Sequence, residues 1–81
     1  MRREIEEFAE EMERVMSEHD RQKGDSWKIL PIKVLEDKFD DEYDELGIGY
    51  HSDPSEFVDL ANFCMMIWHR LRKGANDDAI H

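Results

Sequence analysis

Two apolar-patterned segments, separated by a short connection that contains glycine, constrain the fold of this chain most. The segments cover residues 33–46 and 54–72, and Gly47 and Gly49 lie between them. In both segments apolar side chains return every three or four residues, which is the period of an amphipathic α-helix. A connection this short places consecutive helices side by side and antiparallel. The sequence therefore predicts a helical hairpin at the centre of the fold.

A further helical segment precedes the hairpin and leads to an all-α prediction. Apolar residues recur with helical spacing through residues 2–19, and residues 20–31 interrupt this pattern with a glycine and a proline. We expect a small antiparallel bundle of three helices, in one domain that covers residues 1–73. A flexible tail is expected at residues 74–81, where no pattern is evident.

The length of the chain and its third helix indicate self-association. A chain of 81 residues buries only about 60% of the surface that its unfolded form exposes, so one protomer alone has a marginal core. The third helix carries apolar side chains on nearly all of its faces, a pattern typical of a helix that is covered from several directions. We therefore expect partner subunits to complete the bundle.

The acidic charge of the chain excludes several classes of partner. There are 21 Asp and Glu residues against 11 Lys and Arg, and the formal net charge is -10. Such a surface repels nucleic acid and anionic membranes. The longest apolar run, residues 63–68, is too short to span a bilayer, and the charged N-terminus is unlike a signal peptide. Cys64 is the single cysteine, which favours a buried structural thiol in a cytoplasmic protein.

Two pairs of acids stand among the apolar residues of the hairpin. Glu42 shares a helical stripe with apolar residues, and Glu45 projects from nearly the same side. Antiparallel pairing brings Glu45 near Glu56 and Glu42 near Asp59. A buried carboxylate without a counter-charge is costly, and carboxylate oxygens suit Mg²⁺ or Mn²⁺, whereas no spacing suits zinc. The competing interpretation makes Glu56 the second half of a capping box with Asp53.

The interruption between the first two helices is the one local concentration of positive charge. It contains Arg21, Lys23 and Lys28, together with the aromatic residue Trp27. One interpretation is a helix-capping cluster with Trp27 folded onto the core. The other is a loop that contacts phosphates and stacks on a nucleobase.

Three short motifs follow one another along the chain: KGDSW at residues 23–27, DEYDE at residues 41–45 and EFVDLANF at residues 56–63. DEYDE and EFVDLANF are similar to the EExxE and ExxD motifs of the MazG-like all-alpha NTP pyrophosphatases, and KGDSW resembles the Lys-Gly and Trp stretch found upstream in many members of that family. The resemblance covers roughly residues 5–72. It implies a MazG-like bundle that assembles as a dimer or tetramer and hydrolyses nucleoside triphosphates between the α and β phosphates, releasing pyrophosphate.

The resemblance also implies roles for individual residues. It makes Glu42 and Glu45 catalytic, and it assigns Mg²⁺ binding to four acids, Glu42, Glu45, Glu56 and Asp59. It implies substrate contacts at Lys23, Trp27, Lys28, Lys38 and Asn62, with the lysines on phosphates and Trp27 on the base. Asp41 departs from the usual first Glu of EExxE, and the connection from residue 46 to 55 is short. Both departures weaken the expectation of activity.

Two other functions fit the same residues. A small acidic interaction protein, inhibitor-like or antitoxin-like and without catalysis, would use the acidic first helix as its contact face. It needs no acids near apolar positions. A purely structural helical bundle would instead carry these acids at its rim.

Overall fold

The computed structural model describes residues 1–46 and 53–80, and it describes the side chains of residues 1–46 and 53–73. Helix α1 is Arg3–Lys23, a 3₁₀ turn follows at Ser26–Lys28, helix α2 is Ile32–Glu45 and helix α3 is Pro54–Ile80. The described residues contain no strand, which confirms the prediction of an all-α chain with three helices. Gly47 and Gly49 of the predicted connection lie outside the described residues.

Helix α1 ends where a glycine allows the chain to turn. Gly24 has a φ of 58°, in the left-handed region where a side chain is strained, and its N–H donates to the carbonyl oxygen of Asp20 at 3.0 Å. Arg21 and Lys23 lie in the last turn, where cations favour the negative end of the helix dipole. The helix therefore continues past the predicted end at residue 19, because nothing before Gly24 breaks it.

The core lies where the three helices meet. Met16 of α1, Leu35 of α2 and Met66 of α3 form its buried cluster, and Leu35 is 1% exposed. Leu35 packs in this cluster with Met66, whereas Glu42 lines a cavity with Asp59. Because later residues of α2 therefore meet earlier residues of α3, the two helices run antiparallel. This arrangement confirms a small helical bundle.

Helix α3 begins at the predicted residue and ends later than predicted. Pro54 is its first residue, as expected for a ring whose fixed φ suits the first helical position. The helix was expected to end near residue 72, but the backbone is helical through Ile80, so the predicted end is wrong. Gly74 lowers helix stability by only about 1 kcal/mol, and no proline follows it to stop the helix.

One open groove lies between α2 and α3, away from the core. It has a volume of about 540 Å³, and we call it the outer groove; its lining residues are Glu36, Phe39, Asp40, Cys64, Ile67, Trp68 and Leu71. Cys64 is exposed here, so the expectation of a buried thiol is wrong. Apolar periodicity places Cys64 on α3 correctly, but α2 covers only part of that helix.

Within the described residues, no helix has the length and apolar character needed to cross a membrane.

Candidate metal and phosphate site

The hairpin holds two of the predicted acids against one cavity. Glu42 of α2 and Asp59 of α3 line a space of about 240 Å³, which we call the acid cavity. Its other lining residues are Val15, Met16, His19, Asn62, Phe63 and Met66. Both carboxylates are half-buried, because the apolar stripes on either side of them pack into the core. The prediction that Glu42 lies near Asp59 is thus supported, since both residues line one cavity.

The charge around Glu42 is unfavourable for its ionised form. Burial is the largest influence that raises the pKa of this carboxyl, and the negative charge of Asp59 is the next. Smaller contributions to the raised pKa come from Glu45, Glu56 and Asp41. All four predicted metal ligands therefore interact electrostatically, with Glu42 at the centre. A cation in the acid cavity would relieve this repulsion.

The four acids do not form a closed set of ligands in this structure. Glu45 is exposed and Glu56 is half-buried, and neither lines the acid cavity. Among the described side chains, those of residues 1–46 and 53–73, no group of three or more acidic, His or Cys residues is close enough to hold a metal ion. The donor chemistry nevertheless fits Mg²⁺, which binds through one or two carboxylates and keeps several waters. Glu42 and Asp59 supply such a pair.

Asn62 adds an oxygen to the same cavity. Its side chain is buried, at 3% exposure, and its Nδ2 donates to the carbonyl oxygen of Met12 at 3.3 Å. This bond fixes the orientation of the amide, and Oδ1 has no hydrogen-bond partner among the described residues. A buried acceptor left in this state costs about 1–3 kcal/mol. Asn62 and Asp59 line the same cavity.

The start of α3 leaves the carboxylate of Glu56 available. Asp53 caps this helix, because its Oδ1 accepts from the backbone N–H and from the hydroxyl of Ser55, each at 2.9 Å. These bonds lower the pKa of Asp53, the backbone bond contributing most. The backbone N–H of Glu56 donates to the carbonyl oxygen of Asp53 at 2.9 Å. Within the described segments, no bond from the Glu56 carboxylate closes the competing capping box.

A second, smaller cavity adjoins the acid cavity and contains positive charge. Its volume is about 90 Å³, and its lining includes Lys23 and Lys38, so we call it the lysine cavity. The remaining lining residues are His19, Gly24, Ser26, Trp27, Leu30, Leu35, Phe63 and Met66. His19, Phe63 and Met66 line both cavities. The two carboxylates and the two lysines consequently lie on either side of one shared wall.

Trp27 packs inward, as one of the two interpretations of its loop expected. The ring contacts the buried core cluster, and its centroid lies 5.5 Å from that of His69 in an edge-to-face arrangement. The Nε1 atom is buried and has no hydrogen-bond acceptor among the described residues. Lys28 lies outside both cavities: its Nζ is 3.4 Å from Asp25 and 5.6 Å from the centroid of the Trp27 ring. Of the three predicted lysines, Lys23 and Lys38 line the lysine cavity, and Lys28 lines neither of the two cavities.

Arg70, which the sequence did not single out, helps to build this region together with His19. The guanidinium of Arg70 on α3 donates to the carbonyl oxygen of Trp27 at 3.0 Å and to that of Leu30. These bonds hold the 3₁₀ turn and the residues after it against α3, although the partners are 43 and 40 residues apart in the chain. His19 lines both cavities. Helical periodicity alone gives no signal for the contacts of Arg70, since they depend on how separate elements pack.

Comparison of the chain with protein-family models, with curated proteins and with solved structures gives no match. The resemblance to the MazG-like pyrophosphatases therefore rests on the three motifs and on their order in the chain.

Proposed function

We propose that this protein is a Mg²⁺-dependent nucleotide pyrophosphohydrolase of the MazG-like kind, which cleaves (d)NTP between the α and β phosphates to (d)NMP and pyrophosphate. The observation that carries this proposal is the placement of the acid cavity next to the lysine cavity. A magnesium triphosphate presents a cation and several anionic oxygens within a short distance. Carboxylates for the cation and lysines for the phosphates match that distribution of charge.

Within this proposal the acids differ in their roles. Glu42 and Asp59 bind the cation from facing helices, because both line the acid cavity. Glu56 contributes from the edge of the site, near the positive end of α3. Glu45 is exposed at the end of α2, where solvent reaches it, and it orients the attacking water and accepts its proton. Magnesium bound in the acid cavity would neutralise charge on the triphosphate and activate the attacking water.

Burial of Glu42 gives the proposed site a reason to bind a cation. The pKa of its carboxyl is raised by burial and by neighbouring negative charge, so the ionised form gains most from a positive partner. Asn62 can place its free Oδ1 toward a cation-bound water or a substrate donor, because Nδ2 is already bonded to Met12. The substrate would thus be positioned by groups that the fold holds rigidly.

A homo-oligomer, dimer or tetramer, belongs to the same proposal. Trp68 and Leu71 of the outer groove are 56% and 57% exposed, which is unusual for side chains of this size. A second copy that covers the outer groove would remove these apolar surfaces from water, and a small domain of this length benefits from such burial. Gel filtration combined with light scattering measures the assembly, and a monomer at all concentrations would contradict this part.

A second candidate function is supported by the outer surface of α1. Phe8 and Phe57 are 41% and 47% exposed, and they lie in an open cavity of about 590 Å³ that is edged by Glu4, Glu7 and Glu11. An apolar patch with an acidic rim fits a small interaction protein without catalysis. Calorimetric titration with Mg²⁺ separates the two candidates, since the interaction protein has no use for a cation at Glu42.

The proposed activity is tested by incubating the protein with Mg²⁺ and a panel of NTPs and dNTPs. We expect pyrophosphate and a nucleoside monophosphate as the products for at least one nucleotide. Glu42→Gln should abolish turnover while its helical circular dichroism persists, and Glu13→Gln, an exposed change of equal charge on α1, should retain it. If none of the nucleotides yields pyrophosphate at high enzyme and metal concentrations, the proposal is refuted.

A further inference from the structure

An open groove with an acidic rim lies between the N-terminal parts of α1 and α3. It is the cavity of about 590 Å³ that contains Phe8 and Phe57, and we call it the acidic groove. No residue that lines it also lines the acid cavity, the lysine cavity or the outer groove. A ligand in the acidic groove therefore leaves the proposed nucleotide site and the proposed subunit contact open.

Two large apolar side chains of the acidic groove keep much of their surface in water. Phe8 of α1 is 41% exposed and Phe57 of α3 is 47% exposed, whereas Val58 beside them is buried. Helix α2 contributes no residue to the lining of this groove. Burial of two aromatic side chains in one concave surface favours association, because apolar area is removed from water.

The rim of the acidic groove carries one sign of charge. Glu4, Glu7 and Glu11 line it from α1, at steps of three and four residues, and Asp53 lines it from the start of α3. No Lys, Arg or His from the described part of the chain lines the groove. The positive end of the α1 dipole favours Glu4 in the first turn, but this effect does not extend to Glu11 in the third turn.

Ion pairs within α1 leave the rim able to bind further cations. Arg3 donates to Glu7 at 3.0 Å, and Arg14 donates to Glu11 at 3.2 Å. Both pairs are exposed, so they contribute little, and each carboxylate has further lone pairs that can accept a second donor. Glu4 forms no ion pair among the described side chains.

The charge of the groove selects the class of partner. Nucleic acid and anionic lipid are repelled by it. A second copy of the chain would bring the same patch against itself in a two-fold contact, with carboxylates opposite carboxylates. The complementary partner is therefore cationic at its edge and apolar at its centre. Glu4 and Glu11 are about 10 Å apart along the helix axis, and basic side chains at the same three- and four-residue steps of a partner helix repeat with the same rise.

We propose that the acidic groove is a docking site for a basic amphipathic helix of another protein. The apolar face of that helix covers Phe8 and Phe57, and its Lys and Arg side chains pair with Glu4, Glu7 and Glu11. This partner is additional to the nucleotide substrate, and its binding does not depend on catalysis.

Fluorescence anisotropy of a labelled peptide, titrated with the full chain, tests the docking site. The peptide has about 18 residues, all Leu and Lys, with Leu at the spacing of one helical face. We expect saturable binding of this peptide, at least tenfold weaker binding of a peptide with the same composition in shuffled order, and no binding of a peptide with Glu in place of Lys. Equal binding of the ordered and shuffled peptides would show attraction by net charge alone and overturn the proposal.

Substitutions at the two phenylalanines locate the bound peptide. Phe8→Ala and Phe57→Ala should each weaken binding at least tenfold, as expected for apolar anchors at the centre of an interface, while the helical circular dichroism persists. Ile29→Ala is the matched control, because Ile29 is 84% exposed and lies outside the acidic groove. If Trp68→Ala weakens binding and neither phenylalanine variant does, the peptide occupies the outer groove and the proposal is wrong.

The acidic rim is tested without any change to the apolar centre. Glu4→Gln should weaken binding of the ordered peptide about threefold, the loss expected for one exposed charge pair. Glu13→Gln should leave it unchanged, because Glu13 is also exposed on α1 but lies outside the groove. Equal effects of the two variants would contradict a role for the rim.

Light scattering distinguishes a second copy of the chain from the proposed partner. We expect Phe8→Ala to have the same mass in solution as the wild type. If this variant dissociates an assembly that the wild type forms, a second copy occupies the acidic groove and the proposal is overturned. The docking site and the proposed enzyme fail separately: absence of peptide binding refutes the first alone, and absence of pyrophosphate release refutes the second alone.

Discussion

Replacing Glu42 with Gln is expected to stabilise the protein while it removes the proposed activity. The change keeps the volume of the side chain and removes its charge from the acid cavity. The pKa of Glu42 is raised by burial, then by Asp59 and Glu45, so the folded state favours the protonated carboxyl. Stability is therefore highest below the ordinary glutamate pKa and is lost as the pH rises through the raised pKa. At neutral pH the wild type carries this cost, and Glu42→Gln does not.

The repulsion at Glu42 is on the order of 1 kcal/mol. Packed helices lie about 8–10 Å apart, and two charges about 8 Å apart repel by about 0.5 kcal/mol at the dielectric of water and about 1 kcal/mol at half that value. Like charges one turn apart on a helix, such as Glu42 and Glu45, add about 0.2–0.5 kcal/mol. In a domain of this size, 1 kcal/mol corresponds to a change of about 4–8 °C in melting temperature.

Urea unfolding followed by circular dichroism measures this difference at low ionic strength and at one protomer concentration. We expect Glu42→Gln to be more stable than wild type at pH 7 and nearly equal to it at pH 4, where Glu42 is largely protonated. Glu13→Gln is the control for net charge, because Glu13 is exposed on α1. A loss of stability in Glu42→Gln at pH 7, or an equal gain in Glu13→Gln, would refute the electrostatic reasoning.

Three further outcomes follow from single contacts. Arg70→Ala should lower the free energy of unfolding by about 1–3 kcal/mol and shift the fluorescence of Trp27, because the carbonyl oxygens of Trp27 and Leu30 lose their donor; unchanged emission and stability would count against the contact. Asp53→Ala should lower the melting temperature at pH 7, and the difference should shrink as the pH falls through the lowered pKa of Asp53; a difference independent of pH would exclude an ionised cap. Cys64 should react with Ellman's reagent in the folded protein, more slowly as protomer concentration rises and the outer groove is covered; a thiol that reacts only after unfolding would contradict its exposure.

Much of the helical architecture is predictable because its signals are local. Gly24 ends α1 and Pro54 begins α3 through conformational preferences that belong to each residue alone. The stripe that contains Leu35 and Leu46 predicts their burial, since helical spacing fixes which residues share a face. The same spacing, with antiparallel pairing, places Glu42 against α3.

What the sequence does not predict depends on contacts between elements. Helix α3 is apolar on nearly all sides, so helical periodicity does not predict which side the other helices cover. Cys64 lies on a side that they leave exposed. The bonds of Arg70 reach a turn distant in sequence. The inward packing of Trp27 is one of the two interpretations that the sequence allows, and only the core around the ring distinguishes them.

Binding of Mn²⁺, followed by electron paramagnetic resonance without nucleotide, tests most directly whether the acid cavity is a cation site. We expect saturable binding that Mg²⁺ displaces, that Asp59→Asn and Glu42→Gln each weaken at least tenfold, and that Glu13→Gln leaves unchanged, because losing either carboxylate of a two-carboxylate site removes a ligand. If Mn²⁺ does not bind, or binds equally to the wild type and to all three variants, the carboxylates of Glu42 and Asp59 do not form a metal site.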